Sequence, residues 1–423
     1  MKNRIYLSLR HVVLCLILAS GYPQFALATD TVESAGVSNE RLQRLTNQLN
    51  QYVDKQQISG ATIIVKRRNQ TLYHAAFGMQ DIENKIPMEK DSLFRIASQT
   101  KALVSVGIMM LQEQGLLLLN EPVDKYLPEF SQTYVAVANG EQGYHVVPAN
   151  RKITIRDLLS HTAGIGYRSK LAAKAWKDAG IVGWYFAERK VTMRETVKTI
   201  ATLPQNNHPG EAFDYGYATD ILGVVIEEIT GQNLAQFIAQ NILEPLKMQH
   251  TFFYVPNHKA NKLAAVYSSS EAGVIRAPER KGMVSQGNYL STAGVAYSGG
   301  AGLVSNVADY AKFLTVLLNQ GEFNGVRLLS RKSVEQMRVN HIGDIHYSAG
   351  RSFGLGFAIT EDIGQTGELG SNGEYGWGGA YHSSYWIDPA EELIVVYMTQ
   401  LLPAKNIDDH QKIRSLIYQA IID

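Results

Sequence analysis

The apolar pattern of this chain predicts an α/β protein in which both chain ends build one sheet and a mainly helical segment is inserted between them. Three observations lead there. An amphipathic stretch and two β-rich runs begin near residue 40, three further β-rich runs occupy the last third, and roughly residues 86 to 300 are mostly helical patterns joined by polar loops.

From Glu40 to Val53, the residues Leu42, Leu45, Leu49 and Val53 recur at three and four, which places them on one helix face. Ala61–Val65 and Leu72–Phe77, separated by polar Asn69-Gln70, read as a β-hairpin. Ala102–Gln114 carries Leu103, Val104, Val106, Ile108, Met109, Met110 and Leu111 almost all round a helix that Gly115 ends, the mark of a buried helix. Ile221–Ile229 is a second apolar helix. In the last third Gly354–Ile359, Ser383–Ile387 and Leu393–Met398 read as strands, the last two joined by the turn Asp388-Pro389-Ala390-Glu391, and Ile407–Ile422 closes the chain as an amphipathic helix. Ser268-Ser269-Ser270, Ser298–Gly302 and Gly364–Gly379 read as loops by composition. The expected division is an α/β domain from residues 29–85 with 300–423, and a helical domain over 86–299.

The first 28 residues have the layout of a secretory signal peptide: Lys2, Arg4 and Arg10, then the apolar run Val12–Ala19, then Ala26-Leu27-Ala28 as the cleavage site. That run is far shorter than the roughly 20 residues needed to span a bilayer, so stable membrane insertion after cleavage is not expected. A mature protein beginning at Thr29 would be secreted or periplasmic. It would lack the single cysteine, Cys15, and with it disulfides, thiolate catalysis and Cys-bound metal. Cleavage leaves 37 basic residues against 39 acidic ones, net −2, with no long block of either sign, which argues against nucleic acid as a partner.

The chemistry points to Ser98-Gln99-Thr100-Lys101. Residues i and i+3 share a helix face, so the Ser98 hydroxyl and the Lys101 amine point into one space. In the first turn of a buried helix, desolvation and the macrodipole both favour a neutral lysine, and a neutral amine can take the serine proton. About one S-x-x-K match is expected by chance in a chain this long, so the argument needs partners. Tyr215, in the loop leading into Ile221–Ile229, is either a packing aromatic or, beside the Lys101 ammonium, a general base. Gly376-Trp377-Gly378-Gly379-Ala380 precedes a strand, and the backbone amides of Ser98 and Ala380 could converge as an oxyanion hole. His161 and His382 are the two histidines placed near these segments. The chain has no G-x-S-x-G elbow, H-E-x-x-H, Walker loop or G-x-G-x-x-G.

With these motifs in this order, the sequence resembles the serine β-lactamase and penicillin-binding-protein superfamily, and most of all the class C β-lactamase-related, family VIII-like carboxylesterases. Phe94–Ser98, Leu158–Gly164, Gly300–Ser305, Phe353–Phe357 and Trp386–Pro389 extend the match over almost all of the mature chain. The resemblance implies a β-lactamase/transpeptidase-like fold, an antiparallel sheet flanked by helices with an inserted mainly helical domain. It implies Ser98 as nucleophile, Lys101 and Tyr215 as base and acid, Ser98 and Ala380 as the oxyanion hole, and Trp377, Gly378, Gly379 and Tyr217 at the substrate. No metal or organic cofactor is implied.

The chain departs from the family in carrying Tyr215-Gly216-Tyr217 where class C enzymes have Tyr-x-Asn, and Trp377-Gly378-Gly379 where they have Lys-Thr-Gly. Losing that lysine removes a partner for a substrate carboxylate, worth roughly 1.5–3 kcal/mol. His382 and Ser383 stand in place of a common Gly-Thr. The expected activity is cleavage of a small-molecule ester or amide by an exported serine hydrolase, esters preferred. A D-amino-acid peptidase or weak β-lactamase, and an idle binding or scaffold protein, are the alternatives. Pocket walls are expected from loops such as Tyr134–Asn150 and Ser169–Lys190. The oligomeric state stays open.

Overall fold

The computed structural model describes residues 33, 35–140, 143–280, 286–287, 289–290 and 294–423. The expected signal peptide and Cys15 lie outside the described residues.

Helix α1 (Asn39–Asp54) starts at Ser38, whose side chain accepts from the Arg41 amide, and it buries Leu42, Leu45, Leu49 and Tyr52. Strands β1 (Gly60–Arg67) and β2 (Gln70–Asp81) follow as an antiparallel hairpin. Its turn residues Arg68 and Asn69 both have positive φ, the twist that suits a two-residue hairpin loop. The short strand β3 (Ile86–Pro87) pairs with β2. From the far end of the chain come β4 (Arg351–Phe353), β5 (Ala358–Thr360), β6 (Tyr375–Gly379), β7 (Ser383–Asp388) and β8 (Leu393–Thr399). All eight join one sheet in the order β4-β5-β6-β7-β8-β1-β2-β3, and β8 meets β1 antiparallel with Ala61 opposite Thr399.

Both faces of the central strands are covered, which is why β1 and β8 are buried along their whole length rather than alternating with solvent. The period of two instead deals side chains to two cores. Ile64, Ile394, Val396 and Met398 pack into the large core with helix α2 (Thr100–Glu113), helix α3 (Ala218–Thr230) and helix α4 (Val307–Leu318). Ile63, Val65, Leu393, Val395 and Tyr397 face Leu45 and Leu49 of α1 and Ile413 and Ile417 of α5 (Asp409–Tyr418).

Four expectations are corrected. Gly354–Ile359 is not one strand: Gly354–Phe357 forms the turn between β4 and β5, closed by the Gly354 amide donating to Phe357 O at 2.8 Å. Gly356 has φ +93 there, a conformation that β-strands do not use. Ser268–Ser270 is a strand, within Tyr267–Ser270 paired to Gly273–Arg276, because a polar run can still complete a backbone ladder. Gly364–Gly379 is not all loop, since its last five residues are β6. The closing helix is also shorter than expected, Asp409–Tyr418.

A Cβ on Gly356 would sit 2.3 Å from Ser105 Oγ of α2, so this turn is where the sheet presses on that helix. Gly356→Ala combines the clash with a disfavoured φ and should cost about 1–3 kcal/mol of stability, read as a lowered urea midpoint at unchanged m-value.

Candidate active site

Ser98 lies in a single 3-10 turn, Ala97–Gln99, that runs directly into α2. The turn is held at its ends: Ile96 N donates to Leu303 O (3.1 Å), and Tyr310 Oη donates to Gln99 O (2.8 Å). Ala97 has φ +43, so the residue before the serine is held in a left-handed conformation. Lys101, in the first turn of α2, is 2 % exposed. Its Nζ donates to Gly300 O at 2.8 Å and to Tyr167 Oη at 2.9 Å, and it lies 4.6 Å from the centre of the Tyr215 ring.

The carbonyl that receives Lys101 is positioned by Asp220 in the first turn of α3. Its Oδ1 accepts from Ser298 Oγ (2.6 Å) and from Gly300 N (3.0 Å). The loop can come that close because residue 299 lacks a side chain; a Cβ there would meet Thr219 O at 2.4 Å. Burial raises the Asp220 carboxyl, and the Lys101 charge opposes that rise. Tyr215 comes in on the loop before α3, with Tyr167 N donating to Tyr215 O at 3.2 Å and Trp377 Nε1 donating to Tyr215 Oη at 3.0 Å.

These groups open onto one cavity of about 470 Å³, lined by Ser98, Tyr167, Trp184, Tyr215, Trp377, Gly378 and Ala380. The structure therefore brings Ser98, Tyr215, Trp377, Gly378 and Ala380 together, with Lys101 buried beneath them. Gly379 does not line the cavity. Its missing side chain instead lets β6 approach the serine turn, since a Cβ would lie 2.5 Å from Ile96 O.

Tyr217 is a correction. Expected at the substrate, it is fully buried, stacked on Trp176 with ring centres 5.7 Å apart, and its hydroxyl donates to Gly183 O at 2.6 Å. An aromatic ring with its hydroxyl satisfied belongs to the core under the site. The second phenol that reaches the cavity, beside Tyr215, is Tyr167, which no motif marks in the sequence. Burial, reinforced by Tyr215 and Asp220, raises its phenol well above the ordinary value, so it meets Lys101 as a neutral hydroxyl.

Comparison with known proteins identifies the family and the fold. The family profile described as Beta-lactamase matches residues 45–417. The chain belongs to the β-lactamase family. Within it, this β-lactamase-family protein is 31% identical to Protein Rv1367c of Mycobacterium tuberculosis over 367 residues, covering 83% of this chain and 88% of that one. It is 28% identical to Esterase EstB of Burkholderia gladioli over 368 residues, covering 84% and 89%. Among solved structures, EstCE1, described as a hydrolase with promiscuous acyltransferase activity, superposes with a TM-score of 0.76 at 28% identity, covering 90% of this chain and 99% of its own. The fold is β-lactamase/transpeptidase-like, and the protein is a serine hydrolase of the serine β-lactamase and penicillin-binding-protein superfamily with esterase relatives.

His161 sits behind the site, 1 % exposed, at φ +56, with its ring 4.7 Å from that of Tyr215. Burial first, and the Lys101 charge second, hold it well below the usual histidine value of 6.5, so it is neutral in the fold and gains a proton only on unfolding. Its contribution to stability is complete above that value and is lost as pH falls from there toward the folded-state value. His161→Asn, which tolerates the left-handed backbone, should flatten the acid side of the stability profile by up to about 1.4 kcal/mol per pH unit, measured by urea unfolding at about pH 7.5 and about pH 5.5.

Proposed function

We propose that this serine hydrolase cleaves carboxylic esters through an acyl-Ser98 intermediate. The observation that carries the reading is the character of the cavity into which Ser98 opens. Its walls are aromatic and uncharged, Tyr167, Trp184, Tyr215 and Trp377, and its floor offers backbone at Gly378 and Ala380. Such walls suit a neutral acyl or alcohol group, and among the described residues lining the cavity there is no charged side chain to pair with a substrate carboxylate.

In the proposed reaction Ser98 Oγ attacks the ester carbonyl carbon while its proton passes to the Lys101–Tyr215 pair. The Ser98 and Ala380 amides donate to the developing oxyanion. The same pair protonates the departing alcohol, and a water then attacks the acyl-enzyme, returning the proton to Ser98 and releasing the acid. Lys101 is suited to this by its fixed position between Gly300 O and Tyr167, and Tyr215 by the Trp377 donor on its oxygen. Export through cleavage after Ala28 is part of the proposal; the processed protein recovered from the periplasm or medium should begin at Thr29.

Incubation with a fluorophosphonate should add one adduct to the wild type and none to Ser98→Ala, read by intact mass. Lys101→Met and Tyr215→Phe should each lower kcat for p-nitrophenyl butyrate by about 10²- to 10⁴-fold. Turnover of a chromogenic cephalosporin at a rate matching the esters would instead support the β-lactamase or peptidase alternative. Absence of both labelling and turnover in folded protein would leave the binding or scaffold reading.

A further inference from the structure

Ala380 lies in the tight connection between β6 and β7, and the turn that carries it closes at His382. The His382 amide donates to Gly379 O at 3.0 Å, closing the turn around residue 380. His382 has φ +66, a left-handed conformation that glycine adopts freely and that disfavours any side chain. The histidine is nevertheless held on both its ring and its carbonyl, each from the first turn of α5.

Its Nε2 pairs with Asp409 Oδ1 at 2.7 Å. Asp409 is fully buried, and its other oxygen accepts from Tyr397 Oη of β8 at 2.9 Å. Burial alone would raise this carboxyl, but the donors around it, His382 foremost, hold it below the usual carboxylate range. The neighbouring His410 stacks on His382, ring centres 4.1 Å apart and planes 12° from parallel, and its Nε2 lies 3.3 Å from His382 O. Near-parallel rings direct their in-plane lone pairs along separate planes, so this arrangement grips a turn rather than converging on an ion. On the other side of the turn Tyr381 is buried, its hydroxyl donating to Gln286 O at 2.8 Å and its ring meeting the edge of Trp184.

We propose that His382, clamped by Asp409 and His410 of α5, is a positioning residue that sets the direction of the Ala380 N–H toward the oxyanion. The inference rests on the esterase reading above and assigns part of its machinery to the C-terminal helix. An amide held in place before the reaction stabilises the tetrahedral state without reorganising, whereas a turn free to rock adds little to binding of the ground-state ester. Loss of the clamp therefore appears in kcat rather than in KM.

The test compares wild type, His382→Gly and His382→Gln, each normalised to the fraction that takes a fluorophosphonate adduct. His382→Gly keeps the backbone conformation and removes the ring. It should lower kcat for p-nitrophenyl butyrate about 10- to 100-fold with KM within about twofold. It should also weaken inhibition by 1,1,1-trifluoro-2-pentanone, which forms the oxyanion on Ser98, by the same factor. His382→Gln keeps a side-chain donor for Asp409 and should stay within about threefold of wild type. A His382→Gly protein that is folded, fully labelled and wild-type in both kcat and inhibition overturns the clamp while leaving the esterase reading intact. Equal rises in KM and in the inhibition constant at unchanged kcat also overturn it, because they mark a binding role. A wild type that is neither labelled nor active overturns the esterase reading and this inference together.

Discussion

A lysine amine buried in a protein interior needs acceptors within reach, or its desolvation is left uncompensated. Lys101 cannot find them on its own helix, whose carbonyls are used along the helix axis. They come from two distant segments, Gly300 O from the loop ahead of α4 and Tyr167 Oη from the loop after Leu158–Gly164. Each acceptor is itself braced, the first through Asp220 and the second through the backbone link to Tyr215. One buried amine thus fixes where α2, α3 and two loops meet, and the cavity beside Ser98 is the space left where they do.

A residue with positive φ stands on either side of the same cavity. Ala97 before the nucleophile and His382 after Ala380 both hold positive φ. Such conformations persist only where the surroundings over-determine them. At Ala97 the surroundings are the Ile96–Leu303 backbone bond and Tyr310; at His382 they are the first turn of α5. The two proposed oxyanion donors are therefore each set by an element outside the cavity.

The sheet strands were legible where apolar β-branched runs are nearly continuous, as in Ala61–Val65 and Leu393–Met398, because burial on both faces leaves few polar positions, Thr62 being one. They were misread where glycine decides the path: the turn at Gly354–Phe357 breaks a run whose apolar residues look continuous, while β6 hides inside a glycine-rich stretch. Ser98, Lys101, Tyr215 and Trp377 were legible from spacing and resemblance, and the structure brings them to one place. Tyr167 was not, since one tyrosine among 22 carries no periodic signal, and only its position just after Leu158–Gly164 marks it. Tyr217 was misassigned because two residues from Tyr215 is close in sequence, yet the turn into α3 sends its ring down into the core. Trp184 came from the loop Ser169–Lys190, whose part in the wall was expected but whose path no local pattern encodes.

The union of the two chain ends in one sheet also has a temporal meaning. Thr399 Oγ1 donates to Gly60 O across 339 residues, and β8 is the strand that joins the first hairpin to β4, β5, β6 and β7. Until β8 docks, the outer edge of β1 in the first hairpin therefore exposes a ladder with no partner. Contacts of such sequence separation form late, after the loop-closure entropy has been met. A chain truncated ahead of β8 would carry Ser98 and Lys101 yet leave that hairpin unpaired, so the nucleophile and its lysine are not enough without the strand that closes the sheet.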